Sequence, residues 1–174
     1  PKKDYPAALH EAIHYSVKGG KRIRPILALT ACEAVGGDAK EALVAACGIE
    51  LIHAFSLVHD DLPCIDNDEL RRGEPTVHKK FGESTALLAG DALLTLGFEL
   101  FSKNGASPLR QVHVVQEVSR ALGTYGMIGG QVADLELRGK EIDLPSLEYV
   151  HTHKTGALIA ASLKVGGILG GGSP

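Results

Sequence analysis

Residues 41–66 read EALVAACGIELIHAFSLVHDDLPCID. The part from Glu41 to His59 is alanine-rich, holds no proline, and repeats Ile49, Ile52 and Leu57 at helical spacing. That pattern predicts a well-buried helix. Asp60 and Asp61 follow at once, and Pro63 cannot sit in a helix interior. The helix is therefore expected to end near Leu62. In an unbroken helix Asp66 would point away from Asp60; a bend at Pro63 can bring it back. Three carboxylates at a helix end suit a hard cation that keeps waters and also binds phosphate oxygens, which means Mg²⁺. A solvated acidic loop that merely caps the helix uses the same residues.

Helical periodicity extends outward from this stretch over nearly the whole chain. Tyr5 to Val17 puts Leu9, Ala12, Ile13 and Ser16 on one stripe, broken by Gly19-Gly20. Pro25 opens a second helix over Ile26–Val35, which Gly36-Gly37 ends. Ser84 to Phe101 reads as a helix with Ser84 as its N-cap. Pro108 to Glu136 is helical with a soft spot at Gly129-Gly130. Asp143-Leu144-Pro145 opens a last helix to about Val165, before a glycine-rich end. No period-two strand and no internal repeat stands out, so the class is all-α, in a single helical domain over 1–174.

Composition narrows the function. The 174 residues hold 44% apolar and 22% charged residues, enough for a core and unlike a disordered chain. A net charge of −3, aromatics at 5% and no Trp argue against a nucleic-acid binder. Cys32, Cys47 and Cys64 are odd in number and form no CxxC pair, so neither a disulfide framework nor a zinc knuckle is expected, and a reduced, cytoplasmic setting is the simplest reading. No apolar h-region follows the first residues, as a secretory signal would need, and no uninterrupted apolar run reaches bilayer length, so membrane insertion is not expected. A plastid location stays open if a transit peptide has been removed.

Basic residues concentrate in a few places. Gly19-Gly20-Lys21-Arg22-Ile23-Arg24-Pro25 sets Lys21 and Arg24 beside a helix N-terminus, where an anion is favoured. Arg71-Arg72-Gly73 follows the acidic run; two guanidiniums there suit a polyphosphate held between them and the carboxylates, or else pair with Asp66 and Asp68. Lys154-Thr155-Gly156 offers a further phosphate ligand or a surface lysine. Gln131 and Asp134 share a helix face. Asp91, in an apolar helix, needs a partner. His53 reads by itself as a core histidine.

Taken together, GKRIRP at 20–25, ELIHAFSLVHDDLPCID at 50–66, LRRG at 70–73, AGDALL at 89–94, GQVAD at 130–134 and KTGAL at 154–158 resemble the trans-isoprenyl (polyprenyl) diphosphate synthases. The motifs stand in the family's order and cover almost the whole chain. The resemblance implies the N-terminal part of an isoprenoid-synthase-type helical bundle around a central cavity. It implies a prenyltransferase that joins isopentenyl diphosphate to an allylic diphosphate, dimethylallyl or geranyl, and a homodimer. Asp60, Asp61 and Asp66 would hold Mg²⁺, or Mn²⁺ in its place. Arg71, Lys154, Thr155 and Gln131 would face the allylic diphosphate. Lys21, Arg24, His53 and Arg72 would hold isopentenyl diphosphate.

The resemblance also bears on product length, through Phe55 and Ser56 just before the first aspartate motif. An aromatic at 55 shortens the product tunnel, and with the two extra residues Pro63-Cys64 the pattern is closest to bacterial-type farnesyl diphosphate synthases. A geranylgeranyl diphosphate synthase and a catalytically silent regulatory subunit are the alternatives. No second DDxxD occurs, so the chain reads as the N-terminal half to two-thirds of such an enzyme. A metal-dependent phosphohydrolase could use His53, His59-Asp60 and Asp91, but leaves GKRIRP and LRRG without a role.

Overall fold

Two glycines on one helix decide how its neighbour packs. A β-carbon at Gly90 would lie 2.1 Å from Nε2 of His59, and one at Gly97 would lie 2.7 Å from Cγ1 of Ile52. The two contacts are seven residues apart on each helix and run in opposite directions. Helices α3 (Ala39–Asp60) and α5 (Glu83–Ser102) therefore cross antiparallel at close range along this seam. The computed structural model describes residues 5–172. The remaining elements are α1 (Ala7–Ser16), α2 (Ile23–Ala34), a hairpin of β1 (Leu70–Arg71) and β2 (Glu74–Pro75), α4 (Val77–Phe81), α6 (Pro108–Leu122), α7 (Met127–Leu137), α8 (Leu144–Val150), a π-helical turn His151–Gly156, and α9 (Ala157–Leu169). The fold is mostly helical, as expected.

The chain divides into two compact units. The first holds Pro1–Arg22 and Gly48–Glu99. Its core is Ile49, Ile52, Phe55 and Val58 of α3 with Ala86, Ala89 and Leu93 of α5, all buried. The small residues of α5 recur at helical spacing and present a smooth face, which permits the close crossing. The second unit holds Ile23–Cys47 and Leu100–Pro174. Here α2 packs on α9, burying Ala28 and Cys32 of the one and Leu158, Val165 and Leu169 of the other. Helix α6 buries Val114, Val118 and Leu122, one stripe at every fourth residue.

Several sequence expectations shift. Helix α2 starts at Ile23, with Pro25 inside its first turn, where the missing N–H has no helical acceptor to lose. Helix α3 stops at Asp60, two residues early. Ser84 is the second residue of α5 and caps nothing; the helix opens on Gly82, whose carbonyl accepts from Ala86. The break between α6 and α7 falls at Gly123–Gly126, and Gly129-Gly130 lie inside α7. The last helix continues to Leu169 but changes to π geometry over His151–Gly156. It opens at Asp143-Leu144-Pro145 as read, and the structure adds a cap there: Oδ1 of Asp143 accepts from the Ser146 amide at 3.0 Å. The short hairpin and α4 were not anticipated. The reading of the first residues as lacking a signal falls on Pro1–Asp4, outside the described residues.

Two helices, Ala39–Asp60 and Glu83–Ser102, are long and apolar enough by length and composition to cross a membrane. Charged residues interrupt each of them, Glu50 in the first and Asp91 and Glu99 in the second, so neither is an uninterrupted apolar run, as read from the sequence. Both are the helices whose buried faces form the core of the first unit.

Candidate diphosphate site

The acidic bend forms as the sequence suggests. After α3 ends, the Asp61 amide still donates to Leu57 O and the Leu62 amide to His59 O. Pro63 then has no N–H to give, and the chain turns. The Asp66 amide donates to the carbonyl of Asp60 at 2.9 Å, and the Asn67 amide to Leu62 O at 3.1 Å. Asn67 takes the left-handed conformation, φ 53°, which asparagine tolerates. Asp60 and Asp66 are thus joined through the backbone across six positions.

The three carboxylates do not act alike. Asp61 is buried, 2% exposed. Arg71 holds it in a fork: Nε lies 2.8 and 2.9 Å from its two oxygens and Nη2 lies 2.5 Å from Oδ1. That hydrogen bonding, together with the charges of Asp61, Asp60 and Asp68, holds the guanidinium pKa above its ordinary value against the opposing effect of burial. Asp68, the partner considered from sequence, stands 3.8 Å away. Among the described residues no three His, Cys, Asp or Glu side chains are grouped as a metal site. The expected triad is therefore divided, because Asp61 is taken up by Arg71. The oxygen donors of Asp60 and Asp66, on either side of one bend, do fit a cation that uses one or two carboxylates, keeps waters and binds phosphate.

The hairpin places the arginines. Arg72 (φ 57°) and Gly73 (φ 82°) are the two central residues, both at positive φ, as a tight two-residue hairpin turn of the type I′ class requires. At its base, Thr76 Oγ1 donates to Asp68 O at 2.8 Å, and the Lys79 ammonium donates to Glu69 at 2.9 Å. At its tip, the Arg72 guanidinium lies on the Gly19-Gly20 turn. Its Nη1 donates to the carbonyl of Lys18 at 3.4 Å, and a β-carbon on Gly20 would come within 2.8 Å of Nη1. Gly20 also sits at φ 92°, so this position suits glycine twice over. Two basic motifs 54 residues apart in sequence therefore touch. Beside them is a cavity of about 470 Å³ lined by Lys18, Gly19, Asp61, Arg71, Arg72 and Lys80 among others.

Arg22 and Glu50 were not singled out from sequence. Arg22, at φ 55°, forms an ion pair with Glu50 of α3 and donates from Nη2 to Val17 O. Glu50 precedes His53 by one turn, so the clamp ties the basic loop carrying Lys21 to the helix carrying His53 and Asp60. A charged Glu50 on an otherwise apolar helix was the available signal. His53 is half-buried, and its carbonyl accepts from Ser56 Oγ at 2.8 Å. Phe55 is buried and meets the His59 ring edge-on at 4.8 Å. His59 Nε2 donates to Leu87 O at 3.0 Å, with exposed Asp91 only 3.8 Å off.

The second unit holds the other candidates. Arg24 lies in the first turn of α2. On α7, Gln131 and Asp134 share a face. Lys154 donates to Asp134 Oδ2 at 2.7 Å. It stands in the π turn, a geometry found often at functional sites. Lys154 and Thr155 line a cavity of about 250 Å³ with Asp134 and His151. Gly130 lets α7 approach this turn: a β-carbon there would lie 2.1 Å from the backbone nitrogen of Lys154.

Known proteins are similar to nearly the whole of this chain. A polyprenyl synthetase profile matches residues 6–174. A chloroplastic geranylgeranyl pyrophosphate synthase of Capsicum annuum is 52% identical, over 97% of this chain and 47% of its own length. The large subunit 1 of a chloroplastic heterodimeric geranylgeranyl pyrophosphate synthase of Arabidopsis thaliana is also 52% identical, with the same coverage. The chain spans about half the length of these relatives. An FPP/GFPP synthase from Zymomonas mobilis superposes with a TM-score of 0.92 at 42% identity, covering 99% of this chain and 64% of that one. A geranyltransferase from Helicobacter pylori gives 0.93 at 39%, covering 98% and 62%. Motifs, helical architecture and these similarities lead to one conclusion: the chain belongs to the polyprenyl synthetase family.

Proposed function

We propose that the chain is part of a metal-dependent prenyltransferase that joins isopentenyl diphosphate to an allylic diphosphate and makes geranylgeranyl diphosphate. The observation that carries this is the contact of Arg72 with the Gly19-Gly20 turn beside the acidic bend. It gathers cationic groups and carboxylates of the first unit at one place, as a diphosphate with its cation requires.

Asp60 and Asp66 would hold Mg²⁺, or Mn²⁺, with Asp61 ordering Arg71 beside them. The metal, when bound, neutralises charge on the departing diphosphate. The chain's own residues do the rest. Arg71 donates to the allylic diphosphate from a guanidinium that Asp61 already orients. Lys21, His53 and Arg72 serve isopentenyl diphosphate. Lys154, Thr155, Gln131 and Arg24 of the second unit are further candidates for diphosphate oxygens. The allylic carbon–oxygen bond breaks, the double bond of isopentenyl diphosphate attacks the freed carbon, and a proton leaves to restore an alkene.

The relatives at about half identity are named geranylgeranyl synthases, which favours the C20 product over the C15 product that Phe55 suggested. Phe55 packs on His59 within the core of its unit, and an aromatic so placed is a packing element as much as a tunnel floor. The relatives named chloroplastic support a plastid location. One relative is a heterodimer subunit, so the homodimer stands beside a heterodimer, and both units described above belong to one synthase domain. The intact acidic and basic motifs favour a catalytic over a silent subunit.

The test is a chain-elongation assay on the full-length protein with labelled isopentenyl diphosphate, an allylic primer and Mg²⁺. A C20 product supports the proposal, and a C15 product restores the farnesyl reading. No elongation, together with activation of a separate active synthase, makes it a regulatory subunit.

A further inference from the structure

A two-residue-per-strand hairpin is marginal on its own, so the direction in which Arg71 and Arg72 point depends on what anchors it. Its base is held through Thr76 and Lys79 and its tip through Arg72. The second strand has a third anchor from α1. The hydroxyl of Tyr15 donates to the carbonyl of Pro75 at 2.7 Å, across 60 residues of sequence. Pro75 faces Leu70 in the ladder, next to Arg71.

The ring that carries this hydroxyl is itself fixed. Phe81 meets it edge-on at 5.5 Å, and the Lys80 ammonium sits 3.9 Å above its centre. Tyr15 stands on the last turn of α1, close to the two carbonyls that receive the other basic residues. Val17 O accepts from Arg22, and Lys18 O accepts from Arg72. The end of α1 therefore bonds to the hairpin and to the basic loop at once. Burial, and then the Glu74 carboxylate, push the phenol pKa up, so the hydroxyl stays a donor.

We infer that Tyr15 is a positioning residue: through Pro75 it sets the orientation in which the hairpin offers Arg71 and Arg72 to a diphosphate. This rests on the diphosphate-binding reading given above.

The experiment uses Tyr15→Phe, which deletes one oxygen and keeps the ring contacts. The first readout needs no ligand: the NMR signals of the arginine Nε–H groups. The second is calorimetric titration with inorganic pyrophosphate and Mg²⁺. Displaced Arg71 and Arg72 signals with pyrophosphate affinity about five- to tenfold weaker, the loss of one hydrogen bond's worth of alignment, is the expected result. Tyr125→Phe, which deletes the hydroxyl of an exposed tyrosine outside this cluster, should leave both readouts near wild type. Unmoved arginine signals overturn the inference, as does a Tyr15→Phe protein that loses its native spectrum, since the hydroxyl would then be a stability element. Arginine signals that move while neither protein binds pyrophosphate uphold the alignment and overturn the diphosphate reading instead.

Discussion

Arg71 satisfies both oxygens of Asp61 with one planar fork, at 2.8 and 2.9 Å from Nε and 2.5 Å from Nη2. The adjacent carboxylates of the acidic motif thereby take different work. Asp61 is buried and spends its oxygens inside the protein, and Asp60 is only half-buried at the bend.

The two aspartates should separate under substitution. Asp61→Asn leaves Arg71 with a poorer partner in a buried place and should lower stability by about 1–3 kcal/mol. Asp60→Asn should lower stability less than that and weaken binding of Mg²⁺ with pyrophosphate. Urea unfolding and calorimetry on both variants check this. Equal destabilisation by the two would refute the division of labour.

Gly90→Ala places a methyl 2.1 Å from the His59 ring nitrogen. The ring is held by Leu87 O and by the edge contact with Phe55, so it cannot move aside freely. The overpacking should cost about 1–3 kcal/mol, more than the gain from alanine's helix propensity. Loss of the His59 Nε2–H signal that reports the Leu87 bond is the accompanying NMR mark. A variant as stable as wild type with that signal intact would show the crossing to be looser than described.

The three thiols should differ in reactivity. Cys32 is buried and its Sγ lies 3.3 Å from Asp38 O. Burial first, and then the nearby carboxylates of Glu41, Asp38 and Glu33, push its pKa up, which suppresses the thiolate. Cys47 and Cys64 are exposed. A maleimide should label two sites on the native protein and the third only in denaturant, as mass spectrometry of labelled peptides would show.

The cap of α8 should depend on pH. Hydrogen bonding from Ser146 holds the Asp143 carboxyl below the usual aspartate range. A lowered folded-state pKa means that the cap stabilises the helix fully above the ordinary aspartate value. The contribution is lost as pH falls through the lowered one. The Ser146 amide shift, followed by NMR on acidification, should titrate with that depressed midpoint, and Asp143→Ala should abolish the titration. A midpoint at or above the ordinary value would contradict the cap.

The parts legible in the sequence share a short range. The helices at 7–16, 39–60 and 108–122, the helix start at Asp143-Leu144-Pro145 and the bend at Pro63 all rest on interactions spanning about four to six residues, and their residue types state them directly. What escaped has no such local mark. Two-residue strands show no alternation to detect, and the π turn at 151–156 keeps a helical composition. Gly129-Gly130 looked like a break, but Gly130 serves a close approach to the Lys154 backbone and Gly129 one to the Thr124 carbonyl.

By itself the sequence determined the all-α class, the order of the motifs and the residue types able to meet diphosphates and a cation. Only the tertiary structure decided that Asp61 belongs to Arg71, that Arg22 clamps Glu50, and that Arg72 lies on the Gly20 turn. These partners are 10, 28 and about 52 residues apart. A helix is written in the spacing of neighbours along the chain. A charge's partner is settled by which side chains the folded core brings within reach and how far it shields them from water.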